Sequence, residues 1–412
     1  AGKHLLVERP LALNSAEGMA IVEAARQNDV FLMEGGAFRY HPQVERLTDL
    51  LAQRAVGEIT LIRAACGFRA AVPPGNRLFD NRLGGGSILE LGGDLVALAC
   101  RAAAAALRTE TAEPLDLFGA GHVGTTRVDE SAAALLRFPG GLCAQLACSI
   151  RDDLENEAVF DGTEGRLVLA APGANGAGER LLLLYAAGQT EPRQFRFPSA
   201  RSPLAAEAEA VADFLQAHQC PARTWEESLI TLRALDRWRQ AVGVEFAPET
   251  PEGLTRPVHG RPLAVRKAAY MPRRRLAGSD LEISQLILGT LHLHEAPLAF
   301  SLFDDFFERG GNTFDTAYVY GQGRAEQRLG QWMAQRQVRN QVHLIVKGGH
   351  TPYCTPEWLT RQLVESLDRL QTGRVDLYLL HRDNIEVPVG AFIETLNEHQ
   401  RAGRIGLFGV SN

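Results

Sequence analysis

Short apolar runs recur along the last third of the chain, each closing on a polar or charged residue. They begin near Leu286, Thr313, Val342, Val375 and Ile405, at separations of 27, 29, 33 and 30 residues. Between them lie segments of helical character, PLAFSLFDDFFERG, RAEQRLGQWMAQ, TPEWLTRQLVESLDRLQ and VGAFIETLNEHQRAG. The third is bounded at both ends: Thr355 suits an N-cap, Pro356 the first helical position, and Gly373 follows the last turn. A strand–helix unit repeated about every 30 residues predicts a parallel sheet with right-handed crossovers.

The first two-thirds carry a different pattern. GKHLLVE, NSAEGMAIVEAARQNDV and FLMEG read as strand, helix and strand, with Asn14 or Ser15 as the N-cap. Beyond them, EITLIRAACGF, ESAAALLRF, LCAQLACSI, EAVFDG and GRLVLAA predict a mostly antiparallel sheet, with a hairpin signal at Pro139-Gly140-Gly141. SILELGGDLVALACRAAAAAL predicts a long helix, and SPLAAEAEAVADFLQAHQ and WEESLITLRALDRWRQAV two more. Gly119-Ala120-Gly121-His122-Val123-Gly124 fits G-x-G-x-x-G. A dinucleotide fingerprint must open a helix, whereas TTRVDESAAALLRFPGGLCAQLA reads as a hairpin, so the match is a decoy. Residues 247–272, rich in Pro and Gly and without periodicity, predict a linker draped over one domain.

Four residues at or just beyond strand ends carry complementary chemistry: Asp315, Tyr320, Lys347 and His381. An ammonium beside a phenol favours the phenolate, a carboxylate holds the lysine charged, and an imidazole can orient a carbonyl oxygen. In a (β/α)8 barrel such strand ends face the active site. DTAYVYG, the strand-end Lys347, LLHRD and the terminal FGVSN together resemble the aldo-keto reductases, over roughly Arg273 to Asn412. That resemblance implies Tyr320 as general acid, Lys347 and Asp315 as its tuning pair and His381 as the carbonyl-orienting group. It also implies that Ser411 and Asn412 hold the nicotinamide carboxamide. Residues 273–412 number 140, where such a barrel needs about 250, so about five of eight strands are expected here and the remainder outside the chain.

Upstream, AGKHLLVERPLA, FLMEGGAFRYHPQ, GGGSILELGGD, VDESAAALLRFPGG, FDGTEGRLVL and SLITLRALDRWRQAVG occur in the order found in Gfo/Idh/MocA oxidoreductases, which this region resembles. The resemblance implies a Rossmann remnant over 1–35, whose fingerprint would lie upstream, and an open α/β domain over 36–246. It implies a sheet that faces substrate and mediates homo-oligomers. The family's Glu-Lys-Pro triplet stands here as Glu8-Arg9-Pro10, placed near the cofactor, and arginine cannot lose a proton at working pH. The family's catalytic Asp-x-Gly-x-(His or Tyr) pattern becomes Glu90-Leu91-Gly92-Gly93-Asp94. Asp94 could still act as a base if burial raised its pKa. A changed substrate or lost turnover is the other reading.

Composition narrows the classes. With 43 Lys+Arg against 49 Asp+Glu the net charge is −6, which argues against nucleic acid as main partner. Arg273-Arg274-Arg275 is short and reads as solvated linker. No apolar run approaches the roughly 18 residues a membrane span needs. Six cysteines show no CxxC spacing, and most read as buried thiols of a reducing, cytoplasmic compartment; no metal-ligand spacing appears, and His292, His294 and His350 read as structural or substrate-facing. The first residue is Ala, so an upstream signal stays open. The expected fold is α/β and α+β: a partial Rossmann βαβ, an open mostly antiparallel sheet, and an incomplete (β/α)8 barrel over 273–412. The expected activity is hydride exchange between NADP or NAD and a sugar, polyol or aldehyde. The alternative is a non-catalytic cofactor or sugar sensor in one or both halves.

Overall fold

In a computed structural model the described residues are all but 1, 74, 171–179, 199–201 and 412; for residues 37 and 38 only the backbone is described. The chain divides into two compact units, 1–247 and 248–412. Both are α/β in class.

In the first unit, β1 (Leu5–Val7) and β2 (Leu32–Glu34) pair in parallel around α1 (Ser15–Gln27). Asn14 caps α1: its side chain accepts the Glu17 N–H at 2.9 Å. α2 (Pro42–Ala52) precedes β3 (Ile59–Gly67), and α3 (Gly93–Leu107) follows a π-helical turn over Ile88–Gly92. The helix expected from Ser87 onward is therefore wound more loosely at its start, over the turn that holds Glu90. Then come β4 (Asp116–Val123), β5 (Asp129–Arg137), β6 (Cys143–Ser149), β7 (Leu154–Gly162), β8 (Gly165–Ala170), β9 (Arg180–Ala186) and β10 (Arg193–Phe197). The unit ends with α4 (Pro203–Phe214) and α5 (Trp225–Val242), the latter opened by a capping box between Thr224 and Glu227.

Strands β3 to β10 form one sheet in the order β10-β9-β8-β7-β3-β6-β5-β4, antiparallel except where β3 meets β6. Alternation decides its faces. Ala132, Ala134 and Leu136 of β5 and Ala144, Leu146 and Cys148 of β6 point into a core shared with α3, whose alanines permit close approach. Phe118 and its register partner Leu135 point out, 66% and 46% exposed. β9 and β10 were not expected: RLLLLYA is apolar without alternation, and RQFRF places three charged or polar residues on an edge. Gly119 and Gly121 lie on β4, where an added Cβ would meet Trp238 Cδ1 and Val242 Cγ1 of α5 at 3.0 Å each. These glycines admit a helix against an edge strand.

In the second unit, Leu254 and Leu263 of the linker pack against the core, and Arg336 donates to Leu254 O at 2.7 Å. Arg273-Arg274-Arg275 is not irregular linker. It forms β11 (Arg273–Arg275), an exposed strand antiparallel to β12 (Glu282–Ser284). The main sheet is β13 (Leu288–Gly289), β14 (Thr313–Ala317), β15 (His343–Gly348), β16 (Val375–Leu380) and β17 (Ile405–Val410), all parallel and adjacent in chain order. Between successive strands run α6 (Ala296–Glu308), α7 (Arg324–Arg336), α8 (Pro356–Arg369) and α9 (Val389–Arg401). Thr355 caps α8 through Trp358 N–H at 3.3 Å, with Pro356 at the first position. One sheet face, Phe314, Leu344, Val346, Tyr378 and Leu380, belongs to the buried core that the helices share. The other carries Asp315 and Lys347 among the half-buried Leu377, Leu379 and Leu407.

Candidate active site

Register assembles the first group of side chains. Lys347 stands beside Ala317 on one neighbour and Leu379 on the other. Period-two alternation puts Asp315, two residues before Ala317, and His381, two after Leu379, on the same face. The Lys347 ammonium forms an ion pair with Asp315 and lies 3.5 Å from the Tyr320 hydroxyl and 3.4 Å from Thr316 O. Lys347 and His381 are each 7% exposed. The Tyr320 and His381 rings meet edge to face at 6.0 Å, and the His350 ring meets that of His381 edge to face at 4.9 Å. Burial, reinforced by His350, Lys347 and Arg382, pushes the His381 pKa down to about 4. Its imidazole is therefore neutral at pH 7, a hydrogen-bonding group without charge. Ser411 sits one residue past β17, its N–H donating to Leu380 O at 2.9 Å; Asn412 lies outside the described residues.

The turn that presents Tyr320 was not singled out from sequence. Gly321, Gln322 and Gly323 all have positive φ, at 55°, 59° and 88°. Below Gly323 lies the Arg369 guanidinium, so a Cβ there would come within 2.6 Å of Arg369 Cζ. Arg369 donates to Tyr318 O and to Glu326 Oε2 at 3.0 Å each, and Glu365 accepts the Tyr318 hydroxyl at 2.6 Å. The glycine pair was the available signal; the arginine beneath it, 46 residues downstream, had none.

In the first unit Arg9 Nε meets Asp94 Oδ1 at 2.9 Å, and Arg9 Nη1 donates to Glu90 O at 2.7 Å. The Glu90 carboxylate is taken by Arg77, at 2.8 and 3.2 Å. Burial lifts the Asp94 pKa to about 6 against the pull of Arg9. Glu34 and Arg223, unnoticed in sequence, form a buried ion pair beside them, and Glu34 also accepts the Leu11 N–H at 2.9 Å. Arg9, Pro10, Glu34, Asp94 and Arg223 line one small cleft, whereas Glu8 is exposed. The structure thus brings Arg9, Glu90 and Asp94 together, but ties both carboxyl groups to arginines.

Residues 285–412 match the aldo/keto reductase family, and residues 44–168 the GFO/IDH/MocA C-terminal domain. Trans-1,2-dihydrobenzene-1,2-diol dehydrogenase of Sus scrofa is 30% identical over 255 residues, 60% of this chain and 72% of that protein. The chain joins the Gfo/Idh/MocA and aldo/keto reductase families. The Danio rerio dehydrogenase of the same name is 34% identical over 171 residues, 42% of the chain. The chain spans about half the length of the first curated relatives it matches. The solved structure of KijD10, a 3-ketoreductase from Actinomadura kijaniata in complex with NADP and TDP-benzene, superposes with a TM-score of 0.51 and 25% identity. It covers 58% of this chain and 71% of that one.

Asp94 lies within the GFO/IDH/MocA match, with Arg9 in the same compact unit, and Asp315, Tyr320, Lys347 and His381 lie within the aldo/keto reductase match. Among the described residues no group of His, Cys, Asp and Glu could hold a metal ion, and no helix is long and apolar enough to cross a membrane.

Proposed function

We propose that this protein is an NAD(P)-dependent oxidoreductase with two reaction centres, acting on the carbonyl or hydroxyl carbons of sugars, polyols or aldehydes. The observation that carries it is the Lys347 ammonium, buried and ion-paired to Asp315, 3.5 Å from the Tyr320 hydroxyl, with a neutral His381 facing the same phenol. The donor set fits carbonyl reduction. When bound, NADP or NAD supplies the hydride. Tyr320 Oη gives its proton to the oxygen that gains charge, and Lys347 stabilises the phenolate left behind. Asp315 keeps Lys347 charged and fixed. His381, uncharged, holds the carbonyl oxygen in line without competing for the proton. Ser411, at the next strand end, and Asn412 are assigned to the nicotinamide amide.

For the first centre, Arg9 and Asp94 are assigned to the reacting hydroxyl, with Glu90 holding Arg9 through its carbonyl oxygen and Glu8 and Pro10 lying along the cofactor. With a pKa near 6, Asp94 accepts a proton above that pH. The names of the relatives, a dihydrodiol dehydrogenase and a 3-ketoreductase, support hydroxyl and keto carbons as the target. The 2.9 Å Arg9–Asp94 pair favours a second reading for this half, a centre that binds cofactor or sugar without turnover.

We assign residues 1–35 to a Rossmann portion, 36–246 to the open-sheet domain, 247–272 to a linker and 273–412 to the first five units of a (β/α)8 barrel. The exposed Phe118–Leu135 face of the first sheet is assigned to contact with a second copy, and the free cysteines to a cytoplasmic setting. The test is oxidation of NADPH and NADH by the protein with a panel of aldehydes, keto sugars and polyols. Tyr320→Phe should lower kcat for carbonyl reduction by about 10²–10⁴-fold. An unaltered rate in that variant would remove Tyr320 as the acid.

A further inference from the structure

Three arginines, Arg39, Arg101 and Arg223, share one cleft of the first unit with a shortage of acceptors around them. Arg223 is satisfied: Glu34 takes its Nε at 2.9 Å, and Thr231 Oγ1 lies 3.5 Å from Nη1. Arg39 is not. Its side chain is 3% exposed, its Nη2 donates to Glu227 Oε1 at 2.7 Å, and its Nε and Nη1 have no partner among the described residues. Glu227 cannot turn to serve them. Its other oxygen accepts the Thr224 N–H at 2.9 Å and closes the capping box of α5. Arg101 approaches the same Glu227 oxygen only to 4.0 Å and leaves its own Nε unpartnered. Three guanidinium groups thus face two inner carboxylates, Glu34 and Glu227. The acidic residues at the rim do not redress this: Glu226 is held by Arg233 at 2.9 Å, and Glu110 is exposed. Burial and the neighbouring Arg223 pull the Arg39 pKa down to about 9, the direction expected where positive charge is in excess.

We infer that the cleft between α3 and the first turn of α5 is a binding site for a small oxyanion, a carboxylate or a phosphate group, seated on the Nε–Nη2 edge of Arg101 and drawn by the spare positive charge of Arg39. The Nε–Nη2 edge of a guanidinium presents two parallel N–H groups at the spacing of a carboxylate or phosphate pair of oxygens, as Arg233 does to Glu113. Because Arg39 and Arg223 also line the smaller cleft beside Arg9 and Asp94, the anion would sit on the other side of a shared arginine wall from that group. This inference stands apart from the proposed reaction and concerns binding alone.

Calorimetric titration of the whole chain with inorganic phosphate and with citrate, each at ionic strength matched by chloride, tests it. Saturable binding of either is expected, and the tighter of the two identifies the anion class. Arg101→Gln, at the partly exposed side of the cleft, should weaken it by about tenfold. Arg39→Lys keeps the charge without the guanidinium and should weaken it by less than Arg101→Gln, with folding checked by circular dichroism. Absence of saturable binding to both anions, or equal binding by the wild-type protein and Arg101→Gln, would overturn the site.

Discussion

The two candidate centres are built from the same parts, a cation against a carboxylate, and arrive at different chemistry. In the second unit Lys347 is anchored by Asp315 and still reaches a third group, the Tyr320 phenol. In the first unit Arg9 spends its donors on Asp94 and on the Glu90 backbone, and Arg77 occupies the Glu90 carboxylate. An ion pair becomes a proton-transfer device only when its charge acts on a further titratable group. The difference also follows backbone. Lys347 is fixed by strand register on a sheet face, whereas Arg9 follows a three-residue strand and meets a helix that begins with a π-helical turn.

The widest separation between the centres should come from removing each cation. Lys347→Met leaves the phenol without its neighbouring charge, and we expect kcat for carbonyl reduction to fall by about 10²–10⁴-fold. Arg9→Ala should leave that reaction untouched and release Asp94, so any hydroxyl oxidation by the first unit should change by itself. Steady-state rates of both variants on matched aldehyde and polyol panels decide the matter. If Lys347→Met retained wild-type carbonyl reduction, the second centre would be no more active than the first.

Stability should sharpen the contrast next. Arg369 is the partner of Glu326, whose side chain is fully buried, and it also supports the Tyr320 turn. Arg369→Ala strands that carboxylate and should destabilise the second unit by about 3 kcal/mol in urea unfolding. Replacing Glu326 as well, by Gln, should recover part of the loss. Arg9, 30% exposed, should cost about 1 kcal/mol or less when replaced by Ala. Equal losses at the two sites would mean that burial does not separate them.

The two units also differed in how far their sequences could be read. The strand–helix repeat of residues 286–410 announced a parallel sheet because each strand there is bounded by a capped or amphipathic helix. Strand ends then put Asp315, Lys347 and His381 on one face through parity alone. In the first unit β9 and β10 escaped, since a run of four leucines carries no alternation and an Arg/Gln/Phe segment resembles a loop. The loosely wound start of α3 escaped for another reason. Nothing in Ile88-Leu89-Glu90-Leu91-Gly92 distinguishes a five-residue turn from a four-residue one until Trp238 and Asp129 press on it: Asp129 accepts the Ile88 N–H, and a Cβ on Gly92 would come within 3.1 Å of Trp238. Arg9 and Asp94 were singled out as departures from a pattern, but their pairing depends on a contact 85 residues apart along the chain, which no local signal encodes.

Titration gives the comparison a sign. Asp129, buried, has its pKa lifted to about 6, so the folded chain holds this proton more tightly than the unfolded chain does. Its contribution is fully present below about pH 4 and is lost as pH rises through about 6, a span worth up to about 3 kcal/mol. Asp94 acts in the same direction. His381 runs the other way: with its folded pKa near 4 its contribution is present above about pH 6.5 and lost on acidification through 4. Unfolding of Asp129→Asn should therefore lose part of the decline between pH 4 and 6. An unchanged pH profile in that variant would show that Asp129 is not the group that titrates.

The smallest effect is the most local. His350 touches His381 ring to ring at 4.9 Å and is the second cause, after burial, of its low pKa. His350→Ala removes the neighbouring ring that lowers the His381 pKa and admits water on that side, and both changes favour the imidazolium. We expect the His381 pKa to move up by about half a unit, read from the pH dependence of its ring C–H resonances. At pH 7 the imidazole would remain neutral after such a shift, so carbonyl reduction should hold its rate there and decline only at a slightly higher acid limit than in the wild-type protein. A His381 resonance that titrates identically in both proteins would leave desolvation as the sole cause. The neutrality of this histidine would then belong to the sheet face that buries it, and not to the histidine set edge-on against it.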